Sequence, residues 1–405
     1  MLPIQIGFFL AVRQIKRSTL WSTILIIAVM TLTFLNLVVV SGILVGLIEG
    51  SERAVRERYT SDVIVSNLRE NKYIEDSPRV LRVAESLPNV EAISPRYVVN
   101  GTLEANYQQR TNINDLPEEV GTQVVGINID KEDAVSGISD LIVEGRYLQE
   151  GDFDKVVLGS MLLAKYLQID SEAFPALKDV EIGSTIRLTI GDIVREVEVV
   201  GITKSKVDEI DRRVFMLDSQ VRSMMGTSEF NLDEIAISLT DEKYADATKQ
   251  ALIANDIDKL AKVQTYIDAQ PKFLQDIKKT FALLGAMISS IGLAVAAITI
   301  FIVIFINAIT RQKYIGIMKA IGINAKVIEI SYIFQSLFYA LVGSAIGLTL
   351  LYVVLVPYFA ANPINFPFSD GILVAPLGST MFRITLLVLA TVVAGFIPAR
   401  IVVKK

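Results

Sequence analysis

The sequence predicts an α-helical membrane protein with four transmembrane helices and a large, two-lobed α+β domain, extracytoplasmic and inserted between helices 1 and 2. Three observations predict it. Four long stretches are nearly free of charge, a polar block over residues 49–279 separates the first from the rest, and short basic segments gather on one side of the stretches. A bilayer core about 30 Å thick needs about 20 apolar residues in a helix, and each stretch is long enough. The mean hydropathy of +0.47 is thus an average over two different materials.

Residues 4–17 (IQIGFFLAVRQIKR) place Ile4, Phe8, Ala11, Val12 and Ile15 on one helical face, with Arg13, Lys16 and Arg17 largely off it. Residues 1–17 therefore read either as a helix lying in the cytoplasmic interface or as an extension of the first span. Trp21, the only tryptophan, stands where an interfacial anchor belongs. The first span covers 18–48, between Arg17 and Glu49. Its apolar run is too long for the h-region of a cleaved signal peptide, so a retained signal anchor is expected. The run enters EGSERAVRERYT with no proline, so the helix continues as a stalk to about residue 59. Helix from Leu20 to Tyr59 would reach about 60 Å, well beyond the bilayer. KFLQDIKKT (272–280), after Pro271, reads as a second stalk leading to the span over 280–310.

A loop over 311–328 precedes the third span, 329–357; an external loop covers 358–376; the fourth span, 377–399, is interrupted only by Arg383; and 400–405 form a tail. Arg13, Lys16 and Arg17, then Arg311, Lys313, Lys319 and Lys326, then Arg400, Lys404 and Lys405 mark one side, which the positive-inside rule makes cytoplasmic. Both termini are expected in the cytoplasm of a cell with its inner membrane spanned four times, and residues 49–279 outside.

The inserted domain holds 28 basic and 42 acidic residues, a formal charge of −14, which opposes binding to nucleic acid or anionic lipid surfaces. Strand signals dominate it. SDVIVSN, TQVVGIN and EIAISLT are short β-branched runs, and TIRLTIGD with REVEVVGIT reads as a hairpin about Gly191-Asp192. Helical patterns fall at 77–87, 159–168, 218–225 and 241–254, while 101–121 reads as a flexible loop or an extended hairpin. Asn100-Gly101-Thr102 is a glycosylation triplet of a kind common by chance.

Without cysteine or histidine the chain has no disulfides, no thiol or Ser-His-Asp catalysis and no His/Cys metal site. The carboxylate runs Asp130, Glu132, Asp133 and Asp208, Glu209, Asp211 lack calcium-loop spacing, and no metal or catalytic residue is assigned. No G-x-x-x-x-G-K-[ST] run occurs, so any ATP chemistry belongs to another chain.

Several segments resemble the permease subunits of FtsX/MacB-type ABC transporters, including lipoprotein-releasing and macrolide-exporter permeases. RQKYIGIMKAIGINAKVI (311–328) is similar to that family's R-x-x-E-I-G-I-x-[KR]-A-[IL]-G-A loop, and GFFLAVRQIKRS (7–18) to its N-terminal segment. IVEGRYLQEGDFDKVVLGSMLLAKYLQI (142–169) and IGSTIRLTIGDIVREVEVVGITKS (182–205) resemble its extracytoplasmic core, and FIPAR (396–400) the exit from its fourth span. The likeness covers nearly the whole chain in order. Tyr314 replaces the loop's acidic residue, Gln335 stands where a glutamate is frequent, and the D-P-x-x-A-L tail is missing after Lys405.

The resemblance implies mechanotransmission. A dimer, of identical or related permease chains, binds cytoplasmic ATPases carrying ATP and magnesium and relays their closure through the stalks to the outer domains. The expected output is export or extraction of a lipoprotein, lipid, peptide or drug-like substrate, with an external adaptor or substrate protein and membrane lipid as further partners. One alternative is a signalling subunit controlling a cell-wall hydrolase or sensor; another is an ATPase-independent scaffold. The resemblance marks Arg311, Tyr314, Ile315, Gly316, Met318, Lys319, Ile321 and Gly322 as the ATPase-coupling segment. By spacing alone, Ile315, Met318 and Ile321 face either a groove on a partner or the lipid headgroups. Gly42 with Gly46, and Gly343 with Gly347, are G-x-x-x-G pairs that let helices approach within or between protomers. Asn36, Asn307 and Gln335 are expected to make interhelical hydrogen bonds.

Overall fold

The computed structural model describes residues 2–108, 117–167, 175–270, 272–366, 369–371 and 373–404. In chain order these form α1 (Leu2–Lys16), α2 (Leu20–Val55), β1 (Val63–Ser66), α3 (Ser77–Ser86), β2 (Val90–Ala105), β3 (Glu118–Ile127), α4 (Ile129–Ser136), β4 (Ile142–Gly145) and β5 (Lys155–Gly159). They continue with β6 (Thr185–Ile190), β7 (Ile193–Thr203), α5 (Asp208–Asp211), β8 (Arg213–Leu217), α6 (Asp218–Met224), β9 (Glu234–Leu239), α7 (Ala245–Ala254) and β10 (Lys262–Thr265). The last are α8 (Lys272–Thr310), α9 (Gln312–Ala320), α10 (Ala325–Thr349), α11 (Val356–Ala361), β11 (Ile364–Phe366), β12 (Ser369–Gly371) and α12 (Leu377–Lys404). One compact unit comprises Met1–Gly50, Phe273–Phe366 and Asp370–Lys405; the other is chiefly Ser51–Lys272.

The helical unit contains the helices long and apolar enough to cross a membrane: Leu20–Thr60, Gln275–Thr310, Ala325–Ala361 and Leu377–Val403. The first keeps helical hydrogen bonding through a π turn at Arg56–Thr60, as the proline-free run predicts. A second π turn, Leu350–Leu355, joins α10 to α11, and Pro357 stands just after it, where the ladder is already irregular. The fourth helix runs through Pro398 to Lys404, so residues 400–404 are helix and not a separate tail.

Helix α1 is its own element, broken from α2 where Ser18 Oγ turns back to the Ile15 carbonyl at 2.7 Å. Its packed face is Gly7, Ala11 and Gln14 against α10; of the apolar face the sequence suggested, Ala11 is buried and Ile15 half-buried, while Ile4, Phe8 and Val12 stay mostly exposed. The core of this unit joins Met30, Phe34 and Val38 of α2, the ladder Ala296, Ile300, Ile304 and Ala308 of α8, and Tyr332 and Tyr339 of α10. The four-residue spacing sets these side chains on one stripe of α8.

The second unit is a mixed sheet in the order β10-β1-β9-β2-β3-β8-β5-β7-β4, with β6 pairing β2 and β7. Strand β2 is long enough to serve both halves. Its first part pairs antiparallel with β9 (Ile93↔Ile237) and its second with β3 (Val99↔Val124) and β6 (Leu103↔Leu188). One core gathers around Val63, Val80, Ile235 and Leu252, another around Leu103, Leu158, Val199 and Val214. The stretch 101–121 is thus hairpin on its described residues, with 109–116 lying outside them.

The helix expected over 159–168 does not form. Residues 160–162 and 164–166 are single 3-10 turns around extended Leu163. Ala164 N donates to the Leu177 carbonyl and Leu177 N to the Leu162 carbonyl, each at 2.8 Å, and these distant backbone bonds replace the helical ladder. Residues 168–174 lie outside the described set.

Candidate functional site

The segment between α8 and α10 folds locally, as its sequence requires. Helix α9 ends where Gly322 takes φ +91°, a backbone state that glycine adopts without strain. Ile323 N then closes on the Met318 carbonyl at 2.9 Å, and the Asn324 side chain caps α10 by accepting from Lys326 N at 3.0 Å.

The faces of α9 differ from the expected ones. Ile315 is only 3% exposed and belongs to the helical unit's own core; Met318 packs against that core. Lys319 Nζ donates to the Val403 carbonyl at 2.8 Å, which satisfies a free carbonyl at the end of α12. The outward apolar residues are Tyr314, Ile317 and Ile321, exposed by 68%, 58% and 72%. They lie at i, i+3 and i+7, a single stripe. Lys313 and Gly316 are exposed beside it, with open space around the Gly316 Cα, and Arg311 is half-buried at the N-cap. The sequence reading missed Ile317 and assigned Ile315 outward. Apolar residues occur on both sides of this helix, so periodicity alone does not say which side the protein covers.

The glycine pairs divide. A Cβ on Gly343 would come within 2.6 Å of Met30 Cβ, and one on Gly347 would strike the Phe34 ring, so this pair seats α10 on α2 within the chain. Thr31 Oγ1 adds a bond to the Gly343 carbonyl at 3.1 Å. Gly42 meets the backbone of Val374 instead of a helix, and Gly46 is buried.

Of the three intramembrane amides, Gln335 is buried and donates to Gln14 Oε1, a partner that the sequence reading did not name. Asn36 is exposed beside Gly292 and Asn307 is half-buried.

An ionic cluster forms in the second unit where the α2 helix ends. Buried Arg96 of β2 grips Glu132 of α4 through Nε at 2.8 Å and Nη2 at 2.7 Å, and Ser94 donates to the same carboxylate at 2.6 Å. Arg213 of β8 grips Glu234 of β9 at 3.0 and 2.6 Å. Tyr59, in the π turn after α2, joins both pairs: its hydroxyl donates to Glu234 at 3.0 Å, and its carbonyl accepts from Arg96 at 2.8 Å. The Arg213 guanidinium lies 4.9 Å from the Tyr59 ring centre. Burial alone would raise the carboxyls, but the arginines overcome it: Glu132 is held below its usual range and Glu234 down to about 2. Burial raises the Tyr59 hydroxyl, and the Glu234 charge adds to the rise.

The cluster absorbs Glu132 of the first carboxylate run. In the second, Asp211 accepts Ser205 N at 2.7 Å and Lys206 N at 2.9 Å, while burial lifts it to about 6. Among the described residues no three acidic side chains converge as a metal site would require.

Comparison with known proteins adds the following. Residues 286–405 match the family model described as FtsX-like permease C-terminal. The chain is 28% identical over 138 residues to the probable syringafactin export ATP-binding/permease protein SyfD of Pseudomonas syringae pv. syringae, covering 33% of this chain and 20% of that one. It is 27% identical over 199 residues to the macrolide export ATP-binding/permease protein MacB of Nitrobacter winogradskyi, covering 48% and 30%. It is 24% identical over 213 residues to an uncharacterized ABC transporter permease of Methanocaldococcus jannaschii, covering 52% and 50%. The chain thus spans from 20% to 50% of the length of these relatives.

Among solved structures, the periplasmic region of MacB from Actinobacillus actinomycetemcomitans is similar at TM-score 0.35 and 15% identity, covering 56% of this chain and 94% of that one. The extracellular domain of the noncanonic ABC-type transporter YknZ from Gram-positive bacteria is similar at TM-score 0.32 and 14% identity, covering 50% and 97%. Over residues 286–405 the chain is thus similar to the FtsX-like permease C-terminal family, and over longer stretches it is similar to MacB and another ABC transporter permease.

Proposed function

We propose that this chain is the membrane subunit of an ABC transporter that works by mechanotransmission. ATP is hydrolysed by an ATPase outside these 405 residues, and the resulting movement is carried to the domain over 51–272, which acts on an exported or extracted substrate. The observation that carries this reading is the stripe Tyr314, Ile317 and Ile321, exposed on a short helix between two spans whose other face is anchored by Ile315. An apolar stripe on a helix with a fixed back suits insertion into a groove on a partner. One further feature supports the relay. Within the second unit, Arg96 and Arg213 clamp the turn holding Tyr59, so a force on that turn reaches strands β2, β8 and β9 together.

The test uses the tagged full chain purified in mild detergent from its native membrane. We expect a co-purifying ATPase that Ile317→Asp or Ile321→Asp removes with the melting temperature unchanged. Ile315→Asp, placing a charge in the core, lowers the melting temperature instead. Normal ATPase recovery with both surface variants overturns the assignment of α9.

A further inference from the structure

We infer that a gap in the mixed sheet, along the edge of β2 between β9 and β6, binds a short extended segment of a basic polypeptide as an added strand. The site lies wholly within the second unit and is independent of the ATPase assignment.

Strand β2 is 16 residues long, and its two neighbours on one edge do not meet. Strand β3 pairs with it from Tyr97 to Ala105 along the opposite edge. On the interrupted edge β9 pairs as far as Arg96, opposite Glu234, and β6 takes over only at Thr102, opposite Thr189. Residues 97–101 therefore keep a neighbour on one side only, over about 13 Å at about 3.3 Å per residue.

Backbone groups of successive residues point to alternate edges of a strand. The Arg96 carbonyl accepts from Asp233 N at 3.0 Å and Val98 N donates to Asp233 Oδ2 at 2.8 Å, so the even-numbered residues face the gap. The Asp233 carboxylate thus stands in for a strand carbonyl, but only at Val98 N. The Val98 carbonyl and both backbone groups of Asn100 lie on the open edge, where the pairing of β9 and β6 stops short of them. An open edge of this kind is a template for a further strand.

The gap opens into a cavity of about 650 Å³, the size of a small-ligand site. Val98 and Asn100 line it, together with Gly191 in the turn joining β6 to β7 and Thr227 in the loop after α6. Arg222 holds that loop in place. Its Nη1 and Nη2 donate to the Glu229 and Asn231 carbonyls, each at 2.8 Å, and its Nε donates to Asp218 at 2.9 Å. The same guanidinium lies 4.5 Å from the Tyr97 ring centre. A wall fixed beforehand lowers the ordering cost of binding. Charge selects the occupant. Glu229 and Asp233 line the cavity against Lys72, while Glu234 is engaged by Arg213, so a basic side chain on the added strand is complementary.

The test uses the detergent-purified full chain and the capped pentapeptide acetyl-Thr-Lys-Thr-Lys-Thr-amide as probe. The control is the same peptide methylated at every backbone nitrogen, which keeps the charges and loses the strand's donors. Fluorescence anisotropy of labelled peptides gives the affinity, and hydrogen exchange gives the place. We expect the probe to bind, to slow exchange over residues 97–101, and the control to do neither. Asn100→Pro removes an N–H that faces the gap and leaves the β3 ladder intact. It should weaken binding about tenfold, the loss of one hydrogen bond with its partner left unpaired. Thr227→Trp, which narrows the cavity from the loop, should weaken binding as much, and it decides the matter should Asn100→Pro fail to fold. No binding of the probe at millimolar concentration overturns the proposal, and so does equal binding of probe and control, which would mark a plain cation site. Binding that leaves exchange over 97–101 unchanged, or affinity unchanged in either folded variant, overturns it as well.

Discussion

Glu234 serves two arginines and a tyrosine at once, so its removal strips Arg213 of its carboxylate and takes a contact from Arg96 and Tyr59. Deleting one member of a buried ion pair leaves an unpaired charge and costs about 3–5 kcal/mol. Glu234→Ala should therefore speed hydrogen exchange in β8 and β9 of the detergent-purified chain, with little effect in the helical unit. Its acidity sets a pH limit too. A carboxyl held at about 2 contributes stability that is complete above its ordinary value near 4.5 and is lost as pH falls toward 2.

Two other carboxyls act in the opposite direction. Burial raises Asp211 and Asp233 to about 6, so their contribution is complete below their ordinary value of 3.8 and is lost as pH rises through 6. Asp233 accepts Val98 N at 2.8 Å, a bond that asparagine preserves. Asp233→Asn should flatten the loss of protection between pH 4 and 6 by on the order of 1–3 kcal/mol, measured by exchange in β2. An unchanged profile would mean that Asp233 titrates normally.

At the scale of elements, two glycines of the helical unit make a contrast. Gly347→Ala drives a methyl into Phe34 and should lower the melting temperature, since overpacking costs about 1–3 kcal/mol. Gly316→Ala meets open space on α9 and should raise helix stability by up to about 1 kcal/mol. A thermal melt of both variants in one detergent decides it; equal shifts would show that helix propensity outweighs the α2–α10 contact. The elements were unevenly legible. The hairpin of β6 and β7 was plain from alternation around Gly191-Asp192. The turns at 160–166 were misread because their helix-like leucines are recruited by Leu177, a long-range pairing that no local pattern encodes. Nothing in the local pattern singled out Arg96, Arg213, Glu234 or Gln14, because their partners lie far along the chain.

For the whole molecule, the distribution of basic residues makes a claim about orientation. With no native cysteine, single cysteines introduced at 320 and 150 can be labelled in intact cells with a membrane-impermeant maleimide. We expect labelling at 150 only; the reverse pattern would refute the topology on which the proposed relay depends.

The sequence by itself determined the spans, the stalk continuing from the first of them, and the acidic strand-rich insertion, because uncharged length, proline placement and residue period act locally along the chain. Only the tertiary structure decided which face of α9 is outward, that Gly343 and Gly347 serve α2, and that Tyr59 is shared by two arginines. Each of these depends on which distant segment arrives to cover a side chain. Burial is a property of two surfaces, and a single stretch of sequence describes one of them.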